Sequence, residues 1–199
     1  LVLNHHSFYA ENIQRLQKLV NFKGLNQGVG TIKTIDISKE YVERNLQNIK
    51  VKKLKIAWDI GNGAMGSVID KFIISLKNAE HIIINQKVDG TFPNHHPDPT
   101  VPKNMEQLIK VVQQNECDIG FAFDGDGDRL GVIDNKGNIV WADQYMIILA
   151  KEIASIYNNP KIIMDVKSSK VFFDEIKKLG CDPIMFKTGH SPIKEEMKK

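Results

Sequence analysis

From Leu54 onward the sequence alternates short apolar runs with longer amphipathic stretches, and this alternation limits the folds open to it more than any other feature. LKIAWDI (54–60), HIIIN (81–85), DIGFAF (118–123), KIIMDV (161–166) and PIMFK (183–187) have the length and composition of strands. Between and after them, VIDKFIISLKN, MEQLIKVVQQN, QYMIILAKEIASIY and KVFFDEIKKL place apolar residues at helical spacing. Apolar strands alternating with amphipathic helices predict an α/β fold: a mixed, mainly parallel sheet with helices on both faces. LGVID and NIVWA, flanking Asn135, Lys136 and Gly137, add an antiparallel hairpin. Ahead of this region, residues 11–22 and 38–49 read as helices, the second opened by Ser38. GLNQGVGTIKTIDI between them reads as a turn and a short extended segment.

Composition narrows the class. The 199 residues are 42% hydrophobic and 26% charged with a net charge of +3, and the lysines are scattered rather than gathered into a stripe with interleaved aromatics. A nucleic-acid partner is not expected. Cys117 and Cys181 fall in different predicted units, which gives neither a disulfide framework nor a zinc site and fits a reducing cytoplasm. The longest apolar run is shorter than a membrane span, and LVLNHHSFYAENI lacks the layout of a signal peptide. The sequence starts at Leu1 and its closing KEEMKK reads as helix, so a piece of a longer protein is expected.

Four of the five strands lead into polar or glycine-rich loops: GNGAMG, DGDGDR, KSS and TGHS. In open parallel sheets ligands bind just beyond the carboxyl ends of the strands, so chemistry is sought in these loops. GNGAMG has the form Gly61-x-Gly63-x-x-Gly66 between a strand and a helix, the setting of a dinucleotide site, but the next strand ends in Gln86 where an acidic ribose partner belongs. A tight turn with glycines for close packing is the simpler reading, and a dinucleotide-binding α/β domain the alternative. In DGTFPNHHPDPT (89–100), His95 and His96 are adjacent and point in opposite directions on extended backbone. They are poor candidates for one shared metal, and a rigid loop shaping a cleft or a domain contact is expected.

FAFDGDGDRLGV (121–132) carries the sharpest signal. Carboxylates about 5 Å apart repel by roughly 3 kcal/mol per pair at an effective dielectric near 20. Asp124, Asp126 and Asp128 are nonetheless set at every second position with only glycine between them. On an extended loop the three face one side and converge, and an all-oxygen set suits a hard cation such as Mg²⁺. Arg129 offers a planar fork for a phosphate oxygen. A helix-loop-helix calcium site does not fit, because Arg129 stands where glycine is required and Asn135 where the bidentate glutamate belongs. Lys167 in DVKSS and His190 in KTGHSP each follow a strand. With DGDGDR on the same side of one sheet series, they are expected to rim a metal and phosphate centre.

The series GNGAMG, DGTFPNHHPDP, FDGDGDR, DVKSS and KTGHSPIKEEM, in this order, resembles the α-D-phosphohexomutase family, and within it the bacterial phosphomannomutase/phosphoglucomutase enzymes. The resemblance runs over nearly the whole chain. It implies a four-domain enzyme with three related α/β domains around a cleft. Residues 1–36 would be the tail of domain one, 37–138 domain two with the metal loop, and 139–199 the first part of domain three. It implies a reaction interconverting hexose 6-phosphate and hexose 1-phosphate through a bisphosphorylated sugar, with a phosphoserine as donor and Mg²⁺ as cofactor. Asp124, Asp126 and Asp128 would ligate the metal, Arg129 would stabilise the phosphoserine region, and Lys167 and His190 would contact the phosphorylated hexose.

The chain also departs from that pattern. No TASHNP-like phosphoserine loop is present, NHHSFYAE around Ser7 does not match one, and no GEMSGH sugar-binding loop occurs. The remainder of domains one and three and all of domain four are expected to lie elsewhere in a longer chain. These 199 residues alone are therefore expected not to turn over and to bind Mg²⁺ weakly.

Overall fold

The computed structural model describes residues 2, 3, 6, 7, 9–22, 28–47 and 49–198, which divide into two compact units. Residues 24–27 of the stretch read as a turn and a short extended segment, and the side chain of Ser7, lie outside the described residues.

One unit spans Thr34–Ala142. Its sheet has the order β4-β3-β5-β6-β7, built from β3 (Leu54–Asp59), β4 (Ala79–Ile84), β5 (Ile119–Phe123), β6 (Leu130–Asp134) and β7 (Ile139–Val140). β3 pairs in parallel with β4 and β5, whereas β5–β6 and β6–β7 are antiparallel. The sheet is thus mixed, parallel where helices cross over and antiparallel where the 130–140 hairpin closes it.

Helix α4 (Pro102–Gln114) starts three residues before the expected Met105, because Pro102 sits at its first turn, where a missing N–H costs nothing. Its buried face of Met105, Leu108 and Val112 packs on Ala57, Ala122 and Ile133 to make the core of this unit. Small residues on the strands at this face let the helix approach closely; a Cβ on Gly120 would stand 2.7 Å from a Val112 methyl. On the opposite face Trp58 lies between Phe121 and Phe123, with ring centroids 5.1 and 6.3 Å away, and donates from Nε1 to His81 Nδ1 at 3.0 Å. That face, α2 (Ser38–Leu46) and α3 (Ile69–Ser75) line an apolar cavity of about 710 Å³. The stretch read as one helix over 68–78 shortens to the seven-residue α3, and a 3₁₀ turn at Ala64–Ser67 precedes it. Residues 28–37 form no helix or strand.

The other unit combines residues 1–33 with 143–199. Val2–Leu3 (β1) and His6–Ser7 (β2) pair antiparallel, followed by α1 (Glu11–Val20). β8 (Lys161–Asp165) and β9 (Asp182–Phe186) form a separate two-stranded parallel sheet. Phe172 and Ile176 of α6 (Lys170–Lys178) are fully buried there with Ala150 of α5 (Ala142–Ile156) and Cys181. α7 (His190–Glu196) follows β9. The five sequence-read strands therefore divide between two sheets, three in one and two in the other. Apolar periodicity marks a strand but not its partner.

Candidate metal and phosphate site

DGDGDR is the loop between the antiparallel strands β5 and β6, where Phe123 faces Leu130 in register. It converges by turning rather than by running extended. Gly127 donates its N–H to the Asp124 carbonyl at 3.1 Å and adopts φ of +79°, a conformation glycine reaches without penalty. The turn brings carboxylate oxygens of Asp124, Asp126 and Asp128 within 4.8 Å of one another. Among the described residues this is the single grouping of three metal-capable side chains.

The three acids are not equivalent. Asp124 is only 2% exposed and accepts from the Arg129 amide at 3.0 Å and from Arg129 Nε at 2.6 Å. Burial alone would raise its pKa, but those hydrogen bonds and the guanidinium charge outweigh it and hold the carboxyl below its ordinary value. Asp128 is shifted the other way, first by the charge on Asp126, then by desolvation and by Asp124. One carboxylate is thus neutralised and fixed in place. Another carries repulsion that Arg129 offsets only in part and that a divalent cation would relieve.

Arg129 does more than point at a ligand. Besides Asp124, it donates from Nη1 to Asp98 Oδ1 at 3.1 Å. Asp98 is held in place by the Thr100 hydroxyl at 2.7 Å and the Thr100 amide at 3.1 Å, bonds that also keep its pKa low. Asp98 belongs to the proline-rich 89–100 loop, which therefore borders the carboxylate turn. Sequence reading missed this residue, since the pair is separated by 31 positions. A carboxylate in a rigid loop followed two residues later by a hydroxyl was the only available sign.

GNGAMG packs directly on the carboxylate turn. Ala64 donates to the Gly125 carbonyl at 2.9 Å, and a Cβ on Gly63 would lie 2.7 Å from that same oxygen. A Cβ on Gly66 would fall 2.1 Å from the Gln86 carbonyl. The space that the glycines clear is filled by protein backbone rather than left for a pyrophosphate. The dinucleotide alternative is thereby corrected in favour of the close-packing turn. His95 and His96 do not converge either: His95 turns inward to Asp59, while His96 stays exposed.

Lys167 and His190 belong to the other unit and follow the separate β8–β9 sheet, not the sheet that ends in DGDGDR. The expectation of one sheet series is corrected on this point. Because β8 and β9 are parallel neighbours, the two residues stand beyond the same end of that sheet. Lys167 donates its amide to Asp165 Oδ1 at 2.9 Å, and His190 opens α7.

Residues 37–137 match the alpha/beta/alpha domain II of phosphoglucomutase/phosphomannomutase, and residues 141–199 match alpha/beta/alpha domain III. The chain is 40% identical over 200 residues to phosphomannomutase/phosphoglucomutase of Pseudomonas aeruginosa and 41% identical over 202 residues to phosphoglucomutase of Neisseria meningitidis. In both cases all of this chain is covered, but only 43% and 44% of the relative. The crystal structure of a phosphoglucomutase/phosphomannomutase family protein from Burkholderia thailandensis superposes with a TM-score of 0.93 at 36% identity, covering 99% of this chain and 43% of that one. The chain thus spans less than half the length of the relatives it matches. With two domain matches in sequence order and relatives at this level of identity, it belongs to the phosphoglucomutase/phosphomannomutase family.

Proposed function

We propose that this chain supplies the metal-binding domain and part of the sugar-phosphate site of a Mg²⁺-dependent phosphohexomutase interconverting hexose 6-phosphate and hexose 1-phosphate in the cytoplasm. The reading is carried by one observation: three carboxylates of a six-residue hairpin loop gather within 4.8 Å in a chain of this family. In this reading residues 1–36 are the tail of domain one, 37–138 domain two and 139–199 the first part of domain three.

Asp124, Asp126 and Asp128 would hold Mg²⁺, and the all-oxygen donor set suits that ion. When bound, the ion neutralises charge on a phosphoryl group in transfer. Asp124 is already oriented by Arg129, so less ordering remains to be done when a cation arrives. Arg129 commits two donors to Asp124 and Asp98, yet its side chain is half exposed and a guanidinium has five N–H groups. The remaining donors would reach a phosphoserine oxygen. Lys167 and His190 would supply positive charge and a hydrogen bond to the phosphate of the hexose. Phosphoryl transfer asks for positioning and charge neutralisation more than for covalent chemistry from side chains, which is the work these residues can do.

The phosphoserine donor is not among these residues, so the polypeptide alone is proposed to be inactive and to bind Mg²⁺ weakly. The test is a chimera in which this chain replaces the corresponding segment of the Pseudomonas aeruginosa relative, assayed with glucose and mannose 1-phosphates. The chimera should turn over, and Asp126→Ala should lower kcat by about 100-fold. A folded chimera inactive on both sugars, or turnover by the isolated chain, would contradict the reading.

A further inference from the structure

Among the described residues, the most buried polar side chain outside the carboxylate turn is Asp59, at 0% exposure at the end of β3. Its Oδ1 accepts from the Gly61 amide and from Asn85 Nδ2, both at 2.9 Å, and its Oδ2 accepts from His95 Nε2 at 2.9 Å. Asn85 Nδ2 also donates to Gln107 of α4 at 2.9 Å. One carboxylate thus ties together the ends of β3 and β4 and the 89–100 loop, and reaches α4 through Asn85. Among the described residues, His95 is the side chain that hydrogen-bonds this carboxylate to that loop.

The far side of the loop touches the carboxylate turn at two places. Asp98 receives Arg129 Nη1, and the rings of Phe92 and Pro97 lie 3.4 and 3.5 Å from where a Cβ of Gly125 would sit. Pro97 also stands 3.2 Å from the Cβ position of Gly61. Phe92 is held at φ of +49°, a left-handed conformation that a bulky side chain adopts only when its surroundings impose it. The loop is therefore under constraint. From behind, the His95–Asp59 bond and the Asn94 to Asn62 bond at 2.9 Å help to fix it, alongside the Asp89 amide on the Asn62 carbonyl and Asn104 Nδ2 on the Asp98 carbonyl, both at 2.9 Å.

We propose that His95 is a positioning residue for the carboxylate turn: by anchoring the 89–100 loop to Asp59, it sets the place of Asp98, Phe92 and Pro97, and through them the arrangement of Arg129 and Asp124. It touches neither the carboxylates nor the arginine. Second-layer partners of this kind alter metal affinity by about 10- to 100-fold when removed. The metal consequence rests on the proposed function, whereas the positional one does not.

The test uses this chain and the variants His95→Ala, His95→Gln, Asp98→Ala and Asp126→Ala, each read twice. The first reading is the backbone amide shifts of residues 124–129 without metal, and the second is Mg²⁺ affinity from titrating those shifts. His95→Ala should move the turn amides and weaken Mg²⁺ binding about 10-fold in a still-folded protein. His95→Gln keeps an N–H donor near the Nε2 position and should restore most of both. Unmoved turn amides in folded His95→Ala would overturn the inference. Should that variant not fold, Asp98→Ala decides: it removes the oxygen that accepts from Arg129 while leaving the His95–Asp59 pair, and unmoved turn amides there would overturn the inference. If Asp126→Ala leaves Mg²⁺ binding intact, the metal assignment fails, and the metal-free amide shifts still decide whether His95 positions the turn.

Discussion

Replacing Gly63 by alanine should damage the carboxylate turn from outside it, by steric contact alone. Gly63 has φ of −88° and ψ of −174°, extended backbone that any residue adopts, so the substitution brings no conformational strain. Its new Cβ would stand 2.7 Å from the Gly125 carbonyl oxygen, 3.0 Å from that of Asp124 and 3.1 Å from the Gly125 carbonyl carbon. Ordinary contact begins at 3.4 Å, so the turn must move by about 0.7 Å, and its neighbours are backbone rather than yielding side chains. Overpacking of this kind costs about 1–3 kcal/mol. Stretching the Ala64 to Gly125 hydrogen bond, now 2.9 Å, adds about 0.5–1.5 kcal/mol. Restricting the unfolded chain returns about 0.4–1 kcal/mol, leaving a net loss of roughly 0.5–4 kcal/mol. Urea denaturation of Gly63→Ala against Gly90→Ala measures it, since a Cβ at Gly90 meets nothing within 4 Å. Gly90→Ala should stay within about 0.5 kcal/mol of the parent. Equal stability of the two variants would refute the close-packing role given to GNGAMG.

Arg129→Ala should destabilise the Thr34–Ala142 unit by about 1–3 kcal/mol, because it leaves the buried Asp124 carboxylate without its main partner; the half-exposed arginine keeps the loss below that of a fully buried pair. Arg129→Lys should recover little, as an ammonium cannot reproduce the Nε and Nη1 contacts to Asp124 and Asp98. Leu108→Ala, at 0% exposure in the core, should cost about 2–5 kcal/mol by chemical denaturation. Asp143 accepts the Ser169 amide at 3.1 Å, and although burial pushes its pKa up, the Ser169 bonds bring it below the ordinary value. A depressed folded-state pKa means that its stabilisation is complete above the unfolded value near 3.9 and is lost as pH falls through the lower folded value. Melting temperatures of the parent and Asp143→Asn should therefore differ at pH 7 and converge in strong acid. The raised pKa of Asp128 makes protons compete for the metal turn from a higher pH than at an ordinary aspartate, so cation affinity should begin to fall with acidification above the usual carboxylate range.

The five strands and the 130–140 hairpin were legible because each is a short apolar run bounded by polar or turn residues, and the observed limits lie within two residues of those read from sequence. Helix α4 and the Asp124, Asp126 and Asp128 cluster were legible for the same reason: both depend on residues close in sequence. What could not be read depends on distant partners. Nothing local says that β8 and β9 leave the larger sheet, that Asp98 meets Arg129 across 31 residues, or that His95 meets Asp59 across 36. GNGAMG has the same letters as a dinucleotide loop, and only the Gly125 carbonyl lying against Gly63 separates the two meanings. Even the carboxylate turn was reached by a wrong path. Its acids converge through a tight turn with Gly127 at positive φ, not by alternation along an extended segment.

The account rests on the turn at 124–129 being a divalent-cation site. Its most direct test is a titration of this chain with Mn²⁺, counting the free ion by its electron paramagnetic resonance signal, alongside Asp124→Asn, Asp126→Asn and Asp128→Asn. We predict weak but saturable binding of one ion per chain that each substitution reduces. Absence of saturable binding in the parent chain, or binding that survives all three substitutions, would contradict it.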